Sequence, residues 1–133
     1  MGAIAERDKI NRQYFFIGEI QDKKKMYDFI NGLDVVIIAS RDESCSLVVL
    51  ESAMLGKAIL LNSNIGAKYM VSSKNGYICE NNSVISLKDG MTYIYHKRRK
   101  IKKMGVHSRK MYKKFASESV YYKNLKKIIG ENT

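Results

Sequence analysis

The chain has 133 residues, 45% of them hydrophobic, with nine Tyr, four Phe and no Pro or Trp. That is enough apolar material for the core of one domain, too short a chain for a two-domain enzyme, and too apolar for a disordered one. The net charge of +11 is concentrated: thirteen Lys or Arg and one acid lie between Lys97 and Lys127, and the remainder holds eleven basic against twelve acidic residues. The basic character therefore belongs to the C-terminal quarter.

In chain order, Met1 to Arg12 has mixed charge and weak periodicity. Tyr14 to Ile17 (YFFI), followed by Gly18, predicts a buried strand. Asp22 caps a helix from about Lys23 to Asn31, with Met26, Tyr27, Phe29 and Ile30 on its apolar face and Asn31-Gly32 as its stop. Leu33 to Ala39 is nearly continuous Val and Ile, the pattern of a strand covered on both faces. Ser46 to Leu55 reads as a helix with Leu47, Leu50, Met54 and Leu55 at core spacing, ended by Gly56. Ala58 to Leu61 is a further strand, Lys68 to Val71 a helical turn, Lys74-Asn75-Gly76 a tight turn, and Tyr77 to Cys79 a short strand. Ser83 caps a helix to His96, and helices over Lys97 to Phe115 and Ser117 to Ile129 complete the chain.

Strands alternating with helices predict an α/β fold, a partial Rossmann-like parallel sheet with C-terminal helices. Ligands of such sheets bind at the carboxyl ends of the strands, here at Ser40 to Ser46. Two acids flank the loop-to-helix junction there. Glu43 lies in the loop and Glu51 on the helix, with seven residues between them. The helix N-terminus presents unpaired N–H groups and the positive end of the helix dipole, which accept phosphate, and a carboxylate accepts hydrogen bonds from a ribose diol. In a plainer reading of the same residues, Glu43 only favours the helix N-terminus electrostatically and Glu51 sits in solvent.

The stretch SRDESCSLVVLESAMLGKAILLNSNIGAKYMVSSKNGYI decides between them. Its ordered motifs resemble the C-terminal domain of the retaining GT-B glycosyltransferases of group 1: an acid, seven residues, a second acid, a glycine, a strand, a glycine-containing loop and an N-G turn. The resemblance covers Phe16 to Met91. It implies that Glu43 is the catalytic residue, set against the donor sugar or its departing phosphate, and that Glu51 holds the ribose hydroxyls. Backbone amides around Ser44, Cys45, Ser46 and Leu47 would meet the diphosphate or sugar, and Gly18 and Glu19 would meet the base. The family often carries Gly where this chain has Ser44 and Ser46, and Gly-Lys-Pro where it has Gly56-Lys57-Ala58. The family's phosphate-binding Arg and Lys, and its N-terminal acceptor domain, have no counterpart in these residues. The resemblance thus implies a single, incomplete donor-binding domain, with a core over 13–91 and a basic helical tail over 92–133. Its ligand would be a UDP-, GDP- or similar nucleotide sugar, with no cofactor or metal. The expected role is donor binding in bacterial surface-polysaccharide synthesis, without turnover by these residues alone. The alternative is a non-catalytic binding module that keeps the fold.

The basic segment His96 to Lys103, continuing to Lys114, reads as a solvated helix face with Ile94, Ile101, Met104, Met111 and Phe115 packed inward. Peripheral contact with an anionic membrane is the next reading, and nucleic acid, despite the interleaved Tyr93, Tyr95, Tyr112, Tyr121 and Tyr122, the last. No apolar run approaches membrane-spanning length, so the expected location is cytoplasmic, with a peripheral place at the inner face of the cell membrane as the alternative. His96 and His107 have no metal-ligand spacing, and Cys45 and Cys79 read as ordinary reduced thiols.

Overall fold

The computed structural model describes residues 14–44 and 46–130. The elements are α1 (Lys23–Asn31), β1 (Val35–Ile38), α2 (Leu47–Met54), β2 (Ala58–Asn62), a 3-10 turn (Gly66–Met70), β3 (Gly76–Cys79), α3 (Val84–His96), a second 3-10 turn (Arg98–Lys100), α4 (Ile101–Phe115) and α5 (Glu118–Ile129). The three strands form a parallel sheet in the order β1-β2-β3, with Val36 opposite Ile59 and Leu61 opposite Ile78. Parallel neighbours require crossover connections: α2 supplies the one between β1 and β2, and the segment with the first 3-10 turn the one between β2 and β3.

Strand β2 is central and buried along its whole length, which is why AILLN shows no polar alternation until its last residue. Side chains alternate across it. Ile59 and Leu61, with Val36 and Ile38 of β1, pack against Val49 and Ala53 of α2, and Met111 and Tyr112 of α4 join the same cluster. On the opposite face Leu60 meets Cys79, Ile94 and the ring of Tyr93. Both faces are clothed by helices, as the alternation of elements predicts. Burial also pushes the Cys79 thiol pKa up, so this cysteine is an inert core residue.

The predicted caps form. Asp22 Oδ1 accepts from the Lys25 amide at 2.8 Å, and Ser83 Oγ from the Ser86 amide at 3.0 Å. Helix α2 ends in a pair of reversed bonds, Gly56 N–H to Ala53 O at 3.1 Å and Lys57 N–H to Ser52 O at 3.0 Å, with Gly56 at φ +69°. That is a Schellman stop. Helix α4 crosses it so closely that a Cβ on Gly105 would overlap the Gly56 carbonyl oxygen.

Four expectations are corrected. Tyr14 to Ile17 is not a buried strand: it is irregular, and Phe15 is 84% exposed. A strand is stable only beside a partner, and among the described residues none lies beside this segment. Strand β1 is covered only in part on its second face, for Ile37 is 45% exposed, beside an apolar groove of about 380 Å³ that Met91 and Tyr95 also line. Leu47 faces outward at 62% exposure, and Val49 and Ala53 take the core positions of α2 instead. The helix predicted from Lys97 begins with the 3-10 turn and becomes α-helical at Ile101.

The Asn75-Gly76 turn does more than reverse the chain. The fully buried Asn75 side chain accepts from the Ser72 amide at 2.8 Å and donates to the Met70 carbonyl at 2.9 Å and the Ser108 hydroxyl at 3.1 Å. Ser108 in turn donates to the Lys57 carbonyl at 2.6 Å. One side chain thus ties the turn before β3 to α4. Replacing it by Ala leaves several buried polar groups unpaired, each costing about 1–3 kcal/mol. Asn75→Ala should lower the unfolding free energy in urea by about 3 kcal/mol, and a loss indistinguishable from that of an exposed Asn64→Ala would refute the clamp.

Candidate functional site

The site lies where the chain leaves the carboxyl ends of β1 and β2. The two post-strand loops run side by side, joined by three rungs. Asn62 Nδ2 donates to the Ser40 carbonyl at 3.1 Å, Asn64 Nδ2 to Asp42 Oδ1 at 3.2 Å, and the Gly66 amide to the Glu43 carbonyl at 2.9 Å. Glu43 and Ile65 form an isolated parallel bridge, in effect a continuation of the sheet past its last regular residues. The approach is so close that a Cβ on Gly66 would overlap the Ser44 carbonyl oxygen, so only glycine fits there. The glycine of the Ile65-Gly66-Ala67 loop therefore fixes the backbone that carries Glu43, whose side chain is half-buried.

Beyond that loop, α2 begins at Leu47 with Ser46 as its N-cap. The Ser46 hydroxyl makes no capping bond and is buried without a partner among the described residues. Ser44 is exposed, and Cys45, the other expected contributor from this segment, lies outside the described residues. The first amides of α2 have no acceptor within the helix, by the geometry of any helix start.

Glu51 sits on the second turn of α2 and is 9% exposed, so the reading that leaves it in solvent does not hold. Its Oε1 pairs with Lys23 Nζ at 3.3 Å. Its Oε2 has no hydrogen-bond partner among the described residues. The bond to Glu51 raises the Lys23 pKa, with a smaller contribution from Tyr27. Because the Lys23 side chain is 69% exposed, the pair is screened by water and easily exchanged for another donor to Glu51. Lys23 escaped the sequence reading because nothing in the spacing from 23 to 51 announces a contact. Only the docking of the α1 start beside α2 creates it.

Gly18, at φ +70°, and Glu19 are exposed and lie just before α1. No hydrogen bond joins either of them to Glu43 or Glu51 among the described residues, so what links this segment to the site is the chain continuing into Lys23. A second side chain that sequence reasoning missed is Arg41, which lines a cleft of about 200 Å³ with Ala39, Asn62, Asn82 and Ser83 at the carboxyl edge of the sheet. On the other side of the acid loop, Ser44, Gly66, Tyr69, Phe115 and Tyr121 border a cleft of about 320 Å³. Among the described residues no group of three His, Cys, Asp or Glu is placed to hold a metal ion.

The arrangement offers two carboxylates, an arginine and a helix start around one edge of a parallel sheet, which is the chemistry of a polar, phosphate-bearing ligand site. Comparison with known proteins bears on it. Sucrose-phosphate synthase from Thermosynechococcus elongatus superposes with a TM-score of 0.81 at 13% identity, over 97% of this chain and 32% of that one. The C-terminal domain of a glycosyl transferase group 1 family protein from Francisella tularensis gives 0.78 at 20% identity, over 87% and 60%. HepE from Anabaena, solved in complex with UDP, gives 0.80 at 15% identity, over 96% and 35%. At these identities the likeness is one of fold, that of the GT-B glycosyltransferases, and the chain spans between 32% and 60% of the length of these proteins. No curated protein matches the chain at a significant level. The model of the glycosyl transferases group 1 family matches residues 2–111, a wider span than the motifs between Phe16 and Met91, and the chain belongs to that family.

Proposed function

We propose that these residues are the donor-binding part of a retaining glycosyltransferase that takes a nucleotide-diphosphate sugar. The observation that carries the reading is the placement of Glu43 and Glu51 on either side of the α2 start, at the carboxyl edge of the sheet, in a chain of this family. In this reading the Glu51 carboxylate accepts from the ribose hydroxyls, and Lys23 gives way to them. The amides from Ser44 to Leu47 and the α2 dipole hold the diphosphate, with the buried Ser46 hydroxyl beside them. Negative charge that develops on the departing diphosphate is stabilised by donors already in position, without reorganisation at the moment of reaction. Glu43 faces the sugar or the departing phosphate, and Gly18 and Glu19 border the base. The acceptor, a hydroxyl of a growing surface polysaccharide, is held by residues beyond these 133, since the solved proteins of this fold are longer than the span matched here. A UDP complex of a protein with the same fold supports a nucleotide ligand.

Calorimetry with UDP, GDP and ADP tests the assignment. One of the three should bind with a Kd on the order of 0.1–1 mM, and Glu51→Ala should weaken it about tenfold or more, since a hydrogen bond to a charged group is worth about 1.5–3 kcal/mol. Equal affinity of wild type and variant removes Glu51 from the site. Sugar transfer from a labelled donor should be undetectable with the 133 residues alone, and measurable turnover would overturn the division of labour.

Gly66→Ala should weaken binding of the same nucleotide more than Asn64→Ala does, while lowering stability by about 1–3 kcal/mol through the forced shift of the Ser44 carbonyl. A Gly66→Ala protein with unchanged affinity would dissociate the loop rungs from the site.

A further inference from the structure

A second concave site lies at the opposite edge of the sheet. The turn over 72–75 precedes β3, so it stands at the amino ends of the strands, whereas the acid loop follows β1 at their carboxyl ends. Five residues of β2 separate the two edges, about 15 Å at the usual rise per residue. Between this turn and α4 is a cleft of about 440 Å³ lined by Lys74, Lys97, Lys100, Lys103, His107 and Lys110. Five ammonium groups and an imidazole converge there, and among the described residues no carboxylate lines the cleft. The single ion pair among the described residues, Lys23 with Glu51, is elsewhere.

The cleft is built rather than incidental. Lys103, His107 and Lys110 recur every three or four residues, so they share one face of α4, and Lys100 ends the 3-10 turn that leads into it. The facing turn is fastened by Asn75 Nδ2 to the Ser108 hydroxyl at 3.1 Å and by the Tyr93 hydroxyl to the Ser73 carbonyl at 3.1 Å. Lys97 is held over the Tyr93 ring at 4.6 Å. Lysines gathered on walls that cannot spread apart repel one another, and a multiply charged anion relieves that repulsion. A solvated helix face would account for the stripe on α4 but not for Lys74 brought against it from the turn.

We propose that this cleft binds a compact phosphate-bearing anion, a diphosphate or a phosphomonoester headgroup, through Lys74, Lys97, Lys100, Lys103 and Lys110. The site is independent of the donor reading. Burial, then the charges of Lys74 and Lys110, holds the His107 pKa below the usual histidine value. An anion among Lys74 from the turn and Lys97, Lys100, Lys103 and Lys110 from the helical wall reverses the charge effect, so His107 becomes easier to protonate.

Pyrophosphate titrated into the full chain at low ionic strength tests the site by calorimetry and by the His107 NMR titration. The expected result is saturable binding, a His107 midpoint that moves up, and a loss of about tenfold or more in the Lys103→Gln/Lys110→Gln protein. Lys123→Gln/Lys126→Gln on α5, which removes the same charge, should stay within about twofold of wild type. Sedimentation with phosphatidylcholine vesicles, with and without phosphatidic acid, then separates the sources. Capture by the acidic vesicles that the cleft variant loses identifies a lipid headgroup, and pyrophosphate binding without capture identifies a soluble phosphate. Absence of saturable binding, an unmoved His107, or equal losses from the cleft and α5 variants overturns the site. So does tighter binding of a single-stranded RNA oligomer with equal losses from both variants, which would assign the charge to a diffuse nucleic-acid surface.

Discussion

The candidate donor edge depends on one close backbone approach. The Gly66 amide donates to the Glu43 carbonyl, and the absence of a side chain at Gly66 lets the Ser44 carbonyl lie against it. Without that contact the loop after β1 would be tethered to its neighbour by two asparagine side chains, Asn62 and Asn64, the second of them exposed. With it, sheet-like pairing continues past the strand ends, so the loop inherits the rigidity of the buried core below. A carboxylate carried on such a loop is positioned by backbone geometry rather than by side-chain packing. That is the cheapest way to hold a charged group still at a solvent-facing edge.

Charge is distributed by the same architecture. At the carboxyl edge, Glu43, Glu51, Lys23 and Arg41 are mixed in sign, and the one ion pair among the described residues forms there. At the amino edge the lysines of the turn and of α4 stand without acidic partners among the described residues. A parallel sheet gathers all of its post-strand loops on one side and all of its pre-strand turns on the other, so the two chemistries are kept apart without any further device. Helix α4 belongs to both regions. Its inner face packs with α2 and Ile59 into the first core cluster through Met111 and Tyr112, and its outer face bears the cationic stripe.

Much of this is legible in the residue order. The Val/Ile runs at Val35 and Ala58, the caps at Asp22 and Ser83, and the stop at Gly56 are local signals, each set by the chemistry of one or a few neighbouring residues. The motif order around Glu43 and Glu51 identifies the family in the same way. The errors arise where a local signal needs a distant partner. YFFI has the composition of a strand, and no strand stands beside it among the described residues. Leu47 fits a helical core period, but with the helix seated by Val49 and Ala53 it turns outward. Ile37 has the pattern of a doubly covered strand on a face that α3 covers only in part.

The sequence by itself therefore determined the class of fold, the order of its elements and the edge at which two acids would be found, because periodicity, caps and turn residues act over a few residues. The tertiary structure alone decided that Glu51 is buried and answered by Lys23, that Asn75 is a clamp between a turn and α4, and that scattered lysines face one cleft. Each of these joins residues 28 or more positions apart in the chain or gathers them onto one surface. Such contacts follow from how the helices seat on the sheet, and no periodicity in the chain encodes them.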